Sequence, residues 1–417
     1  MNEIYEKYNN KYFVINLYDK KYNAQFFKKD NQLKIKILDR ISREELNKIN
    51  RKFKVVIATI DKKEVSIFNL NKCSISSGMD EKFEICYIFD EFIENLKYTS
   101  VKNKKIKRIA VEFYNINEMT NLQLYEFDNG LNPIFKTANY KFNYNNISAE
   151  VFIGNTISCG YSRYENRRNI IIYFNYDRKI KYMDAVKEVF HFKIFLSLIS
   201  KREIGIRTIK FNDDCMLYMN CVLFKEKEFS NEWFEHHYME FLMKIEDIEK
   251  DLSNVYSKYK VFLEEAQPIF DIYLDILRHD TTDLNRFLNY TQIIEYISKN
   301  YDDANATNIW IKNGRPSGRV TLSDRIESII NQVSYVWRIS EKKQYNLSRK
   351  IANGRNYYNH HTDEKKKLND DELFRIPYFL EDLILAYIYQ HIGIETKVIK
   401  ESLNNNIYYD KKFLTTK

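Results

Sequence analysis

The apolar positions of this chain keep two different periods. In the first half they fall in short runs dense in β-branched and aromatic residues: LKIKIL at 33–38, KVVIATI at 54–60, KRIAVEFY at 107–114 and NIIIYFNY at 169–176. Asn, Asp, Lys and Ser separate these runs, which read as strands. Several strands in succession, without regular helical interludes, predict an antiparallel sandwich or barrel-like domain. One interruption near 183–200 is helical, with Val186, Val189, Phe190, Ile194 and Leu198 at helical spacing. A last strand pair, 204–211 and 216–224, closes the region.

After Lys225 the period changes from two to about 3.6 and stays helical. A boundary is therefore expected at 225–232, dividing the chain into a β-rich part (1–227), a helical part (228–400) and a tail (401–417). The fold class is α+β multidomain: a mainly antiparallel β domain with one helix, then an all-α bundle. Pro268 should break the long segment from Asn231 to Arg278. Thr281 or Thr282 can cap the next helix, whose Phe287, Tyr290, Ile294, Ile297 and Tyr301 form one face. Gly314, Pro316 and Gly318 mark a loop. Thr321 with Asp324 resembles a capping box and opens a helix with Leu322, Ile326, Ile329, Ile330, Val333 and Val336 on one side. Ser340 can cap a further helix with a narrow stripe of Leu347, Ile351, Gly354 and Tyr358. The last helix starts near Asn369, where Glu372 occupies the third position, and stops at Gly393; Pro377 either kinks it or marks its first turn.

Composition narrows the class. With 417 residues, 44% hydrophobic and 30% charged, and only 9 Gly and 4 Pro, the chain is neither collagenous nor disordered. The net charge of +8 is compatible with a nucleic-acid partner, but solubility alone would explain it. The five cysteines (Cys73, Cys86, Cys159, Cys215, Cys221) show no C-x-x-C pair and no zinc spacing, and read as small buried hydrophobes. MNEIYEKYNNKYF has no apolar signal core, and LILAYIY at 383–389 is too short to cross a bilayer. A cytoplasmic protein without a membrane partner is the expectation.

One cluster combines a fixed cation, a titratable base and a polar amide within a few residues: RNYYNHH at 355–361. Cleaving RNA without metal needs a base for the ribose 2′-hydroxyl, an acid for the departing 5′-oxygen and cations for the phosphorane-like charge. Histidine serves either proton-transfer role near neutral pH. Arginine offers a planar fork that matches two phosphate oxygens. On an ideal helix Asn356 and His360 share a face, and Arg355 lies about 100° round and must curl inward. His361 projects elsewhere unless the helix ends there, so His360 is preferred as the working histidine and His361 is kept as the alternative.

RNYYNH resembles the Arg-x4–6-His signature of HEPN ribonucleases, in the variant with a polar residue after Arg. RFLNYTQIIEYISKNY (286–301), TLSDRIESIIN (321–331) and a closing helix ending in HIGI (391–394) resemble the ApeA-like HEPN domain in order and spacing, over roughly 284–394. The stretch 181–211 resembles the β-rich N-terminal domain of ApeA-type proteins more loosely. The resemblance implies bacterial anti-phage defence by RNA cleavage, with Arg355 and His360 catalytic, Asn356 supportive and Glu295 as an acidic residue facing the motif. It implies no cofactor, and a homodimer with a composite site. It also implies a sensing role for the β-rich part, with a phage-derived trigger.

Plainer readings compete at each position. Glu295 is equally an edge salt-bridge partner, and Tyr357 and Tyr358 could stack on bases or pack inward. Lys312, Arg315 and Arg319 in the glycine-containing loop are candidates for RNA phosphates. The basic run at 102–108 and Arg163, Arg167 and Arg168 could bind nucleic acid, though solvated strand edges are the commoner reading of such charges, and His236–His237 reads as helix surface. For the whole protein, the alternative is a non-catalytic HEPN module that binds nucleic acid or an antitoxin-like partner. No paired carboxylates suggest a metal-dependent nuclease.

Overall fold

The computed structural model describes residues 8–29, 32–77, 83–89, 91–94, 105–114, 125–127, 133–135, 138–160, 163–211, 215–219, 243–278, 281–314, 318–360 and 363–404. By compactness the chain divides into two units. The first takes in Met1–Asn117, Leu122–Lys193 and Ile204–Met239, and the second takes in Ile194–Glu203 and everything from Glu240 onward, with Glu118–Asn121. The expected boundary at 225–232 lies outside the described residues.

The first unit is built from antiparallel strands. β1 (Tyr12–Leu17), β2 (Lys20–Lys29), β3 (Gln32–Ile37), β4 (Phe53–Ile60), β5 (Lys63–Ser77) and β6 (Phe83–Ile88) pair in the order β5-β4-β1-β2-β3-β6. Because β6 also pairs with β5, the ring closes into a six-stranded barrel. Strand alternation fills it: β1 turns Phe13, Ile15 and Leu17 inward, and β2 does the same with Tyr22, Ala24 and Phe26. Phe13 stacks on Phe26 at 4.3 Å, so the interior is a packed core. A short helix not expected from the sequence, α1 (Arg43–Ile49), starts at a Ser42–Glu45 capping box. Its Ile49 carbonyl accepts from the buried Tyr87 hydroxyl at 2.8 Å.

The remaining strands make an open run. Strands β11 (Ala138–Tyr144), β12 (Ile147–Gly160), β13 (Arg163–Lys181), β8 (Lys105–Tyr114), β14 (Gly205–Phe211) and β15 (Cys215–Met219) are neighbours in that order, and β7 (Glu91–Glu94) joins β15 to β5. The strands expected at 33–38, 54–60, 107–114, 169–176 and 204–211 are all present, within a residue or two or inside longer strands. Two short strands, β9 (Tyr125–Phe127) and β10 (Pro133–Phe135), pair separately. The expected helix spans α2 (Tyr182–Ser200), with Phe192 set among Phe142, Phe174 and Phe113.

Two sequence readings need correction here. Cys73 is exposed and Cys86 only half-buried, not core. The register of β5 on β6 slips between Lys72 and Ser74, so Cys73 is the bulged residue and leaves the alternation. The described part of the 102–108 run, Lys105–Arg108, is not at an edge, since β8 lies between β13 and β14; residues 102–104 lie outside the described residues. Lys105 and Lys107 are exposed on either side of buried Ile106.

The second unit is helical: α3 (Leu252–Glu265), α4 (Gln267–Arg278), α5 (Asp283–Tyr301), α6 (Asp303–Lys312), α7 (Leu322–Gln332), α8 (Glu341–His360), α9 (Asp370–His391) and α10 (Thr396–Asn404). Pro268 falls in the first turn of α4, which tolerates a residue without N–H. Thr282, not Thr281, caps α5 by accepting from Asn285 N at 3.3 Å. The boxes at Thr321–Asp324 and Asn369–Glu372 both form. α9 begins at Asp370, so Pro377 lies inside it, not at its first turn. Everything in α9 from Phe379 to Tyr389 is buried, making it the axis of the bundle. Gly393 (φ 84°) ends the helix as expected, and Ile394 N donates to Tyr389 O at 2.9 Å. α10 runs past the expected start of the tail at 401.

Residues 194–203 belong to this helical unit. Phe195 packs edge-on against Tyr256, and the Tyr389 hydroxyl donates to Leu198 O at 2.6 Å. Lys201 takes a left-handed φ of 58° just past α2. Its ammonium lies 2.7 Å from Asp382 Oδ1 and 2.9 Å from Glu381 Oε2, and Glu381 Oε1 accepts from Tyr273 at 3.3 Å. Burial works against the Lys201 charge, but the two carboxylates prevail and raise its pKa.

Candidate active site

Helix α5 buries Phe287, Tyr290, Ile293, Ile294 and Ile297, and this leaves Leu288, Gln292, Glu295, Tyr296 and Lys299 as a second stripe at helical spacing. Helix α8 buries Leu347, Ile351 and Gly354, continued by half-buried Tyr358. Arg355 and Asn359, one turn apart, flank that buried stripe. The two helices bound a cleft of about 400 Å³, into which Glu295, Lys299 and Asn300 project from α5, and Arg355 and Asn359 from α8.

The registration of α8 depends on a close contact beside the motif. A Cβ on Gly354 would stand 2.8 Å from Leu368 Cγ, so the small residue accommodates the buried Leu368. The Tyr358 hydroxyl donates to Leu368 O at 3.3 Å, and its ring meets Phe287 edge-on at 6.1 Å. The Gly354–Tyr358 stripe therefore serves packing within the chain. Burial, first, and then the neighbouring Tyr357 raise the Tyr358 pKa, which keeps that phenol neutral.

The electrostatic centre of the cleft is Glu295. Its Oε2 is 3.3 Å from Arg355 Nη2 and its Oε1 is 2.7 Å from Lys299 Nζ. Side-chain exposures of 29% for Arg355 and 26% for Glu295 put the pair in a sheltered position, where a charge-assisted bond is screened less than on open surface. Two cations share one carboxylate, so the three charged groups sum to a positive charge.

The structure thus brings Glu295 to Arg355 as expected and separates other candidates. Asn356 and His360 are exposed on the outer face of α8 and do not line the cleft with Arg355. The reason is angular: by the 3.6-residue period Asn359, not Asn356 or His360, falls nearest to Arg355 around the helix. Helix α8 ends at His360, and His361 lies outside the described residues. The Tyr357 hydroxyl donates to Glu364 at 3.1 Å, away from the cleft lining. Lys312 pairs with Glu341 at 3.0 Å, and neither it nor Arg319 lines the cleft; Arg315 lies outside the described residues.

Sequence reasoning missed Lys299, Asn359 and Gln292, although the four-residue spacings Glu295–Lys299 and Arg355–Asn359 were there to be read. Among the described residues no group of three or more His, Cys, Asp or Glu is placed to hold a metal ion. No described helix is long and apolar enough to cross a membrane.

No curated protein matches the chain. Two solved structures of K. pneumonia MrkH align at a TM-score of 0.17. The apo-state structure is 8% identical over 48% of this chain and 91% of that one, and the P2(1) crystal is 9% identical over 42% and 83%. Superpositions that loose carry no argument. Residues 267–398 match the family model described as Apea-like HEPN. The match takes in all of α4 to α9, and with them the cleft, Glu295, Arg355 and His360. HEPN domains are generally nucleases. Residues 267–398, with Arg355 and Glu295 paired across their cleft, are thus similar to an Apea-like HEPN domain.

Proposed function

We propose that this protein is a metal-independent endoribonuclease acting in anti-phage abortive-infection defence. The observation that carries this reading is the Arg355–Glu295 pair, which fixes the motif arginine in a sheltered, positively charged cleft within the HEPN domain. In the proposed reaction the ribose 2′-oxygen attacks the adjacent phosphorus, a neutral imidazole takes its proton, and an imidazolium protonates the departing 5′-oxygen. The products are a 2′,3′-cyclic phosphate and a 5′-hydroxyl. Arg355 neutralises the charge that builds on the non-bridging oxygens. His360 supplies the imidazole, with His361 as its alternative, and Asn356 steadies the same outer face.

The step needs a neutral and a protonated imidazole at once, and in one chain His360 stands on a different face from the Arg355 cleft. Both facts favour a homodimer in which two copies of the motif complete one site. The β-rich unit, which has its own packed core, is proposed to respond to a phage-derived trigger.

Incubating the purified protein with total tRNA and mapping the ends tests the reading. Cyclic-phosphate ends that persist in EDTA and vanish in Arg355→Ala and His360→Ala support it. Intact RNA, or cleavage indifferent to both substitutions, overturns it. Retained RNA binding without cleavage would favour a non-catalytic module.

A further inference from the structure

The cleft contains one more cation than the proposed chemistry uses. Lys299 lies one turn beyond Glu295 on α5, and its ammonium is 2.7 Å from the carboxylate oxygen that Arg355 does not take. An exposed i,i+4 pair of this kind adds little to the stability of a helix, so its value to the fold is small. Comparable pairs exist elsewhere, such as Lys48–Glu44 and Lys397–Glu401. What sets Lys299 apart is its position: it lines the cleft, and its partner carboxylate is already committed to the motif arginine.

The rest of the lining has a consistent chemistry. Gln292, Asn300 and Asn359 bring amides, which donate as well as accept, and Tyr296 brings an aromatic ring. An RNA strand offers an anionic phosphate at each nucleotide, hydroxyl groups and stacking faces. The Lys299 side chain is 53% exposed, so its ammonium is free to swing from Glu295 to an arriving anion without unpacking anything. Glu295 then keeps Arg355, and the carboxylate stays partnered throughout.

We propose that Lys299 is a phosphate-binding residue of this cleft, holding the RNA strand at a phosphate flanking the one that Arg355 engages. The proposal rests on the ribonuclease reading for the identity of the strand, and its test separates the two.

The test is binding of a single-stranded RNA, 2′-O-methylated so that attack by the 2′-oxygen is blocked, to the full chain across a series of KCl concentrations. Lys299→Ala should weaken binding on the order of fivefold to tenfold and flatten the slope of log affinity against log salt by about 0.7, one phosphate contact on a single strand. Lys299→Arg should retain most of the affinity, and Lys397→Ala should match the parent. Unchanged affinity and slope in Lys299→Ala, or an equal loss in Lys397→Ala, overturns the proposal, as does a parent chain that does not bind RNA. Unmodified RNA supplies the second readout. Lys299-dependent binding without cleavage by the parent supports this site and removes the ribonuclease reading. Cleavage with Lys299-independent binding removes the site and leaves that reading standing.

Discussion

The carboxylate of Glu295 on α5 holds the guanidinium of Arg355 on α8 at 3.3 Å, across sixty residues of sequence. Arginine side chains are long and rotamer-rich, so a fixed partner is what gives this one a direction. Glu295→Gln keeps the shape and removes the charge. It should lower single-turnover cleavage of RNA by roughly 10-fold to 100-fold, the scale of a misplaced catalytic group. A variant with wild-type cleavage would show that Arg355 needs no such support.

Arg355 itself is expected to act as a two-pronged anion contact. Arg355→Lys preserves the positive charge but not the fork, so it should recover little of the activity that Arg355→Ala loses, on the order of 100-fold to 1000-fold. Cleavage assays beside circular dichroism check this, since both variants should keep the helical spectrum. Full activity in Arg355→Lys would mean that charge alone suffices.

Lys201 is the cation of a buried cluster with Glu381 and Asp382, whose side chains are 8% and 0% exposed. Lys201→Met would remove the counter-ion of both sheltered carboxylates. The expected loss is about 3–5 kcal/mol, read as a drop in the denaturant midpoint of the helical unit. A midpoint unchanged from the parent would contradict the burial seen here.

His391, at the end of α9, packs its ring 4.5 Å from Phe262, with Tyr387 stacked at 6.2 Å. Loss of water around the ring lowers its pKa, which Glu265 opposes and Lys258 reinforces. Between the lowered folded value and the ordinary value of about 6.5, the unfolded chain binds the extra proton. This contribution is therefore complete above about pH 6.5 and is lost as pH falls through the folded value. The wild type should lose more thermal stability between about pH 7.5 and pH 5.5 than His391→Phe does. Parallel losses in the two proteins would remove His391 as the cause.

The helix ends were legible because capping is local: Thr321 with Asp324 and Asn369 with Glu372 announce themselves over three residues. The choice of a closed barrel over a sandwich was not, because it depends on β6 returning to β5 across a bulge at Cys73, a register that no period-two pattern encodes. Strands β1 and β2 were missed for a related reason, since polar residues such as Asn16, Asn23 and Gln25 interrupt their outer faces. At the site, the sequence paired Asn356 with His360 correctly as one helical face. The resemblance pointed to Glu295 facing the motif, but spacing alone did not tell that α5 would cover the neighbouring face, where Arg355 and Asn359 line the cleft with Glu295 and Lys299. Spacing along one helix defines its sides; the partner helix decides which side becomes a cleft.

The Lys201 cluster bears on how this domain can be inherited. The family match spans 267–398, yet the counter-ion for two of its most deeply buried acids is encoded at position 201, between α2 and β14. A recombination event that moved only the contiguous helical stretch would transmit the acids and leave the cation behind. The helical fold of this chain is thus a split hereditary unit, completed by a residue encoded among the strands.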